Sequence, residues 1–243
     1  MKTSVLIFFL LISSVSMAQL TTDRPDQTES SSTVGKFNLQ LETGFSYEIS
    51  KYGSLDFDEF VAPTTLIRFG IIETLELRFV AQYSSSEFDS KSTSGLNDIE
   101  LGAKIELLNN PEKNIEMAFL THIILPTAKK ELSNGDYVIV TKLAISHEIS
   151  NRLAFGYNFG FDYIPNEDVI ITYSAALGYS LTDKLGAYIE PYGGIIDMND
   201  IELNGDFGFT YLINDHFQLD LSSGVGLSHN MKYIATGFSW LID

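Results

Sequence analysis

The chain has 243 residues, no cysteine and a formal net charge of −17, from 32 Asp and Glu against 15 Lys and Arg. This acidity argues against nucleic acid as a partner, because phosphates would be repelled, and the absence of cysteine excludes disulfides and thiolate metal sites. The sequence is 44% hydrophobic and 12% aromatic, which is too apolar for an acidic disordered protein. We therefore expect one folded domain whose charges lie where water is.

Residues 1–18 have the pattern of a secretion signal. Lys2 supplies a positive start, residues 5–12 form a short apolar run, and residues 16–18 form a small-x-small cleavage site. The apolar run is too short to cross a bilayer as a helix, so a membrane anchor is the weaker alternative. No later segment has about 18 uninterrupted apolar residues. The sequence therefore predicts an exported chain without a helical span.

The first strand is predicted after a polar tail at residues 19–36, which has no hydrophobic periodicity. From Phe37 to Ile49, apolar and polar residues alternate, and only Thr43 interrupts the apolar set. Successive side chains of a strand point to opposite faces, so this segment has one apolar wall and one polar wall. The same alternation recurs to the end of the chain, with many aromatic residues on the apolar side.

The recurring alternation predicts about twelve strands, an even number as in single-chain bacterial barrels. The apolar sets run from Val61, Ile67, Phe69 and Ile71 in the second strand to Ile234, Phe238, Trp240 and Ile242 in the last. Aromatic residues concentrate near both ends of the apolar wall, where amphipathic rings favour a membrane boundary. One predicted girdle comprises Tyr47, Tyr83, Tyr137 and Tyr163, and the other Phe37, Tyr179, Tyr211, Phe217 and Trp240.

We therefore predict an all-β fold, a single transmembrane antiparallel β-barrel over residues 37–243, with its apolar face towards outer-membrane lipid and its polar face towards a lumen. A soluble β protein is the alternative. Three segments share a tight-turn pattern and start at intervals of 32 residues, at positions 149, 181 and 213. These turns are predicted to face the periplasm. The outer loops are then residues 50–56, 84–96, 126–135, 164–168, 193–200 and 229–231.

The polar wall carries charges of both signs, with acids in excess. Our candidate lumen and plug residues are Asp23, Arg24, Asp26, Glu42, Glu76, Arg78, Glu100, Lys104, Glu106, His122 and Lys142. Arg68 and Lys232 are further bases of the same parity. Alternating signs predict cross-strand pairs that brace the wall. The functional alternative is an acidic, water-filled pore that favours cations.

The tail has features of a plug. Pro25 fixes the backbone, and Arg24 offers a planar fork for two carboxylates. We predict that residues 19–36 fold into the periplasmic mouth of the lumen, with Arg24 bonded to inward acids such as Glu42 or Glu76. A disordered leader is the alternative.

The run Thr22-Asp23-Arg24-Pro25-Asp26-Gln27-Thr28-Glu29-Ser30, followed by the first strand around residues 39–45, resembles an outer-membrane barrel family named after the meta-pathway of phenol degradation. Residues 125–127 add a weaker similarity. The resemblance implies a barrel whose family members are described as transporters, and it implies no substrate.

Together these features predict a passive transporter or channel for small molecules, hydrophobic ones included, in the outer membrane of a Gram-negative-type bacterium after removal of the signal. The expected partners are membrane lipid and an unidentified solute. One alternative is a structural or adhesive barrel with a closed lumen and partner-binding loops. Another is a barrel hydrolase that uses His122 or loop acids. Because no nucleophile, metal or phosphate-binding motif occurs, we expect no enzyme, cofactor or metal.

Overall fold

The computed structural model describes residues 20–53, 55–165, 169–196 and 200–242, so the predicted signal at residues 1–18 lies outside the described residues. These described residues form thirteen strands. They are β1 (Leu39–Tyr52), β2 (Leu55–Ile72), β3 (Leu75–Phe88), β4 (Lys91–Leu96), β5 (Ile99–Asn110), β6 (Ile115–Leu125), β7 (Val138–Ser150), β8 (Leu153–Tyr163), β9 (Ile170–Ser180), β10 (Leu185–Ile196), β11 (Asp200–Asn214), β12 (Phe217–Gly226) and β13 (Asn230–Ile242). A 3-10 turn at Pro111–Lys113 joins β5 to β6. No helix among the described residues is long and apolar enough to cross a membrane.

Twelve of the strands close into an antiparallel barrel, which confirms the predicted fold. Each barrel strand pairs with its neighbours in chain order, and β1 pairs with both β2 and β13, which closes the ring. The extra strand β4 pairs only with the protruding end of β3. The prediction of a loop at residues 84–96 is therefore wrong, because these residues form the end of β3 and the strand β4. Asp89 and Ser90 have φ values of 47° and 64°, and two positive φ values are typical of the tight turn that continues a hairpin.

The two ends of the barrel differ in their connections. The three repeated segments that start at positions 149, 181 and 213 all form short turns at one end, as predicted. We call this end, where β1 starts and β13 finishes, the turn end. The opposite end, which carries residues 126–137 between β6 and β7, is the loop end.

The outer face of the barrel is apolar and the interior is polar. Leu77, Phe159 and Ile189 are exposed on the outside, whereas the charged side chains of Arg68 and Lys104 are fully buried inside. This arrangement is the inverse of a water-soluble protein, and a continuous apolar exterior is stable only against hydrocarbon. The strands therefore span a membrane.

Three residues depart from the predicted parity. Val61 was predicted on the apolar exterior but is buried on the inner side, because a register shift between Val61 and Thr64 reverses the alternation in β2. Lys232, predicted to line the lumen, is exposed on the same parity as the outward-facing Ile234. Phe37 precedes β1 and has a φ of 64°, so it belongs to the turn that leads into the wall.

Candidate functional site in the barrel lumen

Residues 20–38, which we call the lumen segment, run through the barrel interior and end in a turn at the turn end, where Lys36 and Phe37 are exposed. The segment makes hydrogen bonds to ten of the twelve barrel strands. Its partners are Glu42 in β1, Arg68 in β2, Arg78 in β3, Lys104 in β5, Glu116 in β6, Ser146 in β7, Asn158 in β8, Ser174 in β9, Glu190 in β10 and Asp220 in β12. A segment with partners on nearly every strand crosses the whole section of the barrel.

The lumen segment joins the wall through a close backbone contact at the turn end. The N–H of Phe37 donates to Gly70 O at 2.8 Å, and the Gly70 N–H donates to Asn38 O at 3.0 Å. A Cβ at Gly70 would lie 1.6 Å from Gly35 O, so only glycine allows this approach. Position 70 therefore holds the segment against β2 just before β1 begins.

Asp23 is the centre of a buried ion-pair cluster. Its Oδ2 lies 2.6 Å from Arg78 Nη1, 2.9 Å from Lys104 Nζ and 3.3 Å from Arg68 Nη1. The Asp23 side chain is 2% exposed. Its other oxygen, Oδ1, accepts hydrogen bonds from the N–H and the hydroxyl of Ser30. A residue of the lumen segment is thus the common partner of three wall cations.

Glu42 and Glu76 complete this cluster. Arg68 Nη1 lies 3.0 Å from Glu42, and Arg68 Nε lies 2.9 Å from Glu76. Arg78 Nη1 also reaches Glu76 at 3.0 Å. We use the name Asp23 cluster for Asp23, Glu42, Glu76, Arg68, Arg78 and Lys104. With three acids and three bases the cluster is balanced, which offsets the high cost of burying each charge.

Arg24 binds a different acid from the predicted ones. Its Nη2 lies 3.0 Å from Asp220 Oδ1, and its Nε donates to Asp220 Oδ2 at 3.3 Å. The guanidinium lies flat over the wall, since a Cβ at Gly44 would be 2.0 Å from Nη1 and a Cβ at Gly237 would be 2.6 Å from Nη2. Glu42 is instead bonded to Arg68, so the predicted pairing of Arg24 with Glu42 or Glu76 is wrong.

Arg78 also connects the lumen segment to His122. Its Nη2 lies 2.8 Å from Glu29 Oε2, and its Nε donates to His122 Nε2 at 2.9 Å. Arg78 can only donate, so His122 Nε2 accepts this bond, and the other ring nitrogen, Nδ1, lies 3.0 Å from Glu100 Oε2. His122 is therefore bonded through both ring nitrogens within the wall. Lys142 Nζ lies 3.8 Å from Glu29 Oε1.

Asp26 and Glu106 lie away from these pairs. Asp26 faces the turn end and lines a cavity there with Tyr188. The next residue, Gln27, donates its N–H to Glu190 Oε2 at 2.7 Å. Glu106 donates its backbone N–H to Thr74 O, and its side chain takes no part in the ion pairs of the described residues. Lys104 bonds to Asp23 of the lumen segment, and neither Glu100 nor Glu106 forms an ion pair with it among the described residues.

Cavities flank the lumen segment on both sides. Towards the loop end, a cavity of about 530 Å³ has Arg24 and Glu29 among its lining residues, and a second of about 440 Å³ adjoins it at Arg24 and Asn204. Towards the turn end, a cavity of about 340 Å³ is lined by Asp26 and Arg152. The described residues contain no group of three or more His, Asp or Glu side chains placed to hold a metal ion.

A buried carboxylate outside the membrane holds the long connection between β6 and β7. Asp98 accepts hydrogen bonds from the N–H groups of Ala128 and Asn134, at 2.8 and 2.9 Å, and from the hydroxyl of Ser133 at 2.9 Å. Burial alone would raise the pKa of Asp98, but these donors favour the charged form and hold the pKa below its usual value. The ionised Asp98 carboxylate therefore holds the connection between β6 and β7 in place at the loop end.

Sequence reasoning missed several residues of the site. Parity placed Arg68 on the inner wall but could not identify its partners, and Asp220 was not among the candidate residues. Glu29 and Thr28 were not singled out, although Glu29 bonds to Arg78 and Thr28 donates to Ser174 at 2.8 Å. The only available signal was their place in the polar run that precedes the first strand.

Comparison with known proteins identifies the family of the chain and solved structures with a similar fold. A family model described as "Putative MetA-pathway of phenol degradation" matches residues 22–240. No protein sequence with a curated description matches the chain. The fold is similar to that of the COG4313 outer membrane channel from Pseudomonas putida F1, with a TM-score of 0.73, 12% identity, and coverage of 87% of this chain and 97% of that chain. It is also similar to the KdgM porin, with a TM-score of 0.55, 8% identity, and coverage of 82% and 98%.

Proposed function

The chain belongs to the family described as "Putative MetA-pathway of phenol degradation", and we propose from this premise that it is a passive outer-membrane channel for small molecules. The observation that carries the proposal is the pair of spaces on either side of the lumen segment, about 530 Å³ towards the loop end and about 340 Å³ towards the turn end. In a closed barrel such spaces lie between the two aqueous sides, and here the lumen segment separates them.

The proposed orientation places the turn end in the periplasm, after removal of residues 1–18. Both termini of the barrel are at the turn end, and the longest connection, residues 126–137, is at the loop end. Short inner turns and longer outer loops are typical of bacterial outer-membrane barrels. The bacterium is then of the Gram-negative type.

In this proposal the lumen segment is a movable constriction. It is held to the wall by hydrogen bonds and ion pairs, with Asp23, Arg24 and Glu29 as its charged anchors. Such contacts can open without unfolding the barrel, because the wall strands pair with one another, while the backbone contact with Gly70 keeps the base of the segment attached to β2. Solutes would pass when the segment moves away from one side.

Liposome swelling and single-channel recording test the channel. We expect swelling with solutes the size of amino acids and discrete conductance steps in planar bilayers. A second candidate function is a sealed structural barrel, which the fully paired Asp23 cluster favours. Absence of both flux and conductance in correctly folded protein would reject the channel and support the sealed barrel.

A cysteine lock tests the movable constriction. The hydroxyls of Ser31 and Ser146 are 2.5 Å apart, and the natural chain has no cysteine, so the double variant Ser31→Cys with Ser146→Cys has one possible disulfide. Oxidised protein should conduct less than the same protein after reduction, which is its matched control. Equal flux in the two states would show that solutes pass without movement of the segment.

A further inference from the structure

We propose that the loop-end chamber, the cavity of about 530 Å³, is a binding site for small organic cations that carry an apolar group. The proposal rests on the proposed function, since the chamber lies on the path that a solute would follow. Its volume is within the range of roughly 300–1,000 Å³ that is usual for small-molecule sites. Three features of the lining define the class of ligand: apolar surface, unpartnered acceptors and excess negative charge.

The first feature is an aliphatic surface on the inner wall, where a barrel normally presents polar side chains. The chamber is lined by Leu66, Val80, Leu120, Ile124, Val140 and Ile170. Exposed apolar surface costs about 25 cal/mol per Å² in water. An apolar group of a ligand would remove this surface from water, so the lining favours a ligand with such a group.

The second feature is a set of buried polar atoms without a hydrogen-bond partner among the described residues. Asn204 Oδ1, Asp162 Oδ1 and Thr172 Oγ1 are in this condition, and all three residues line the chamber. Asn204 is only 6% exposed. A buried acceptor without a donor is costly. A ligand with N–H groups would satisfy these atoms once the three side chains rotate towards the chamber.

The third feature is the charge of the lining. Six carboxylates and three bases line the chamber. The donors of Arg78 are taken by Asp23, Glu29 and His122, and Lys142 is next to Glu29. The field inside the chamber is therefore negative, and it attracts cations and repels anions.

The geometry brings the apolar and charged parts together. Val140 in β7 and Asp162 in β8 are cross-strand partners, so the Asp162 carboxylate is next to the aliphatic surface. Thr172 lies on β9 and Asn204 on β11, further round the same wall. We infer that the cationic head binds at Asp162, Thr172 and Asn204, while the apolar body covers Val140 and its aliphatic neighbours.

Calorimetry on the intact, detergent-solubilised barrel tests the proposal with four probes of known chemistry. Cyclohexylammonium has both required parts, methylammonium lacks the apolar group, cyclohexanol lacks the charge, and cyclohexanecarboxylate reverses it. Titration of each probe into detergent alone gives the background. We expect the first probe to bind at least about tenfold more tightly than the other three, which corresponds to about 1.4 kcal/mol. Equal or tighter binding of the carboxylate would overturn the proposal.

Two variants place the site within the chamber. Asp162→Asn keeps the shape and should weaken cyclohexylammonium roughly tenfold, the effect of losing one hydrogen bond to a charged group. Val140→Thr is nearly isosteric, and it should weaken that probe roughly threefold and leave methylammonium unchanged, because only an apolar contact is lost. Glu87→Gln removes the same charge from the exposed β3–β4 hairpin and is the matched control. Unchanged binding in folded Asp162→Asn would reject the site.

The experiments can reject the binding site and the channel independently of each other. If the protein conducts solutes but does not prefer cyclohexylammonium, the binding site is rejected and the channel stands. If the probe binds as expected but no solute crosses the membrane, the channel is rejected and the binding site stands.

Discussion

Replacement of Asp23 by asparagine should release the lumen segment. The Asp23 carboxylate is 2% exposed and lies within 3.3 Å of nitrogen atoms of Arg68, Arg78 and Lys104. Asparagine keeps the shape but leaves three buried cations with one acid fewer. Removing one partner from a buried ion pair costs about 3–5 kcal/mol, so the segment should leave the wall at least about a hundredfold more often.

Thiol labelling measures this release, because the natural chain has no cysteine. Ser31, which is 3% exposed, is replaced by cysteine as a single reporter inside the lumen. We expect a maleimide to label the reporter at least about a hundredfold faster when Asp23→Asn is also present, if opening precedes labelling.

The matched control for Asp23→Asn is Asp56→Asn. Asp56 pairs with Lys51 at 2.7 Å, but their side chains are 68% and 52% exposed, so this change should leave labelling of Ser31→Cys unaltered. Equal labelling rates with aspartate and asparagine at position 23, in barrels of equal heat stability, would refute the claim that the Asp23 cluster holds the segment.

Two further predictions concern the wall and the loop end. Gly44→Ala should lower the melting temperature, because its Cβ would lie 2.0 Å from Arg24 Nη1 and would push the guanidinium away from the buried Asp220. Gly178→Ala, with no atom within 4 Å, should not. Equal effects of the two variants would contradict the role of Gly44. The pKa of Asp98 is lower in the folded state than its usual value of 3.8. The ionised carboxylate therefore stabilises the connection between β6 and β7 at pH values above 3.8, and this stabilisation is lost as the pH falls through the lower pKa of the folded state. Hydrogen exchange at the Ala128 amide, corrected for the intrinsic rate, should therefore become faster on acidification. In Asp98→Asn the exchange should already be faster at neutral pH. An exchange rate that changes neither with pH nor with the substitution would contradict this role of Asp98.

Much of the wall was predictable because local geometry governs it. The alternation in residues 37–49 identified a strand with two unlike faces, and the turn pattern at 149, 181 and 213 identified one end of the barrel. These features depend on the two-residue period of a strand and on turn chemistry, which neighbours in sequence determine. Where a register shift reverses the period, as at Val61, the same reasoning failed.

The partners inside the lumen were not predictable in this way. Arg24 was expected on Glu42 or Glu76, yet it binds Asp220, which is 196 residues away. Parity shows that an acid faces inward, but the height of each side chain along the barrel depends on how all twelve strands are staggered. The choice among several inward acids is therefore made only when the ring is closed.

Sequence by itself thus determined the class of fold, the inner and outer walls and the polar nature of the segment before β1, because each depends on residues close together in the chain. Tertiary structure alone decided that Asp23 serves three cations, that Gly44 and Gly237 make room for Arg24, and that Val140 adjoins Asp162 in the loop-end chamber. The physical reason is that these contacts join residues brought together by barrel closure, where burial makes each pairing of charge strongly specific.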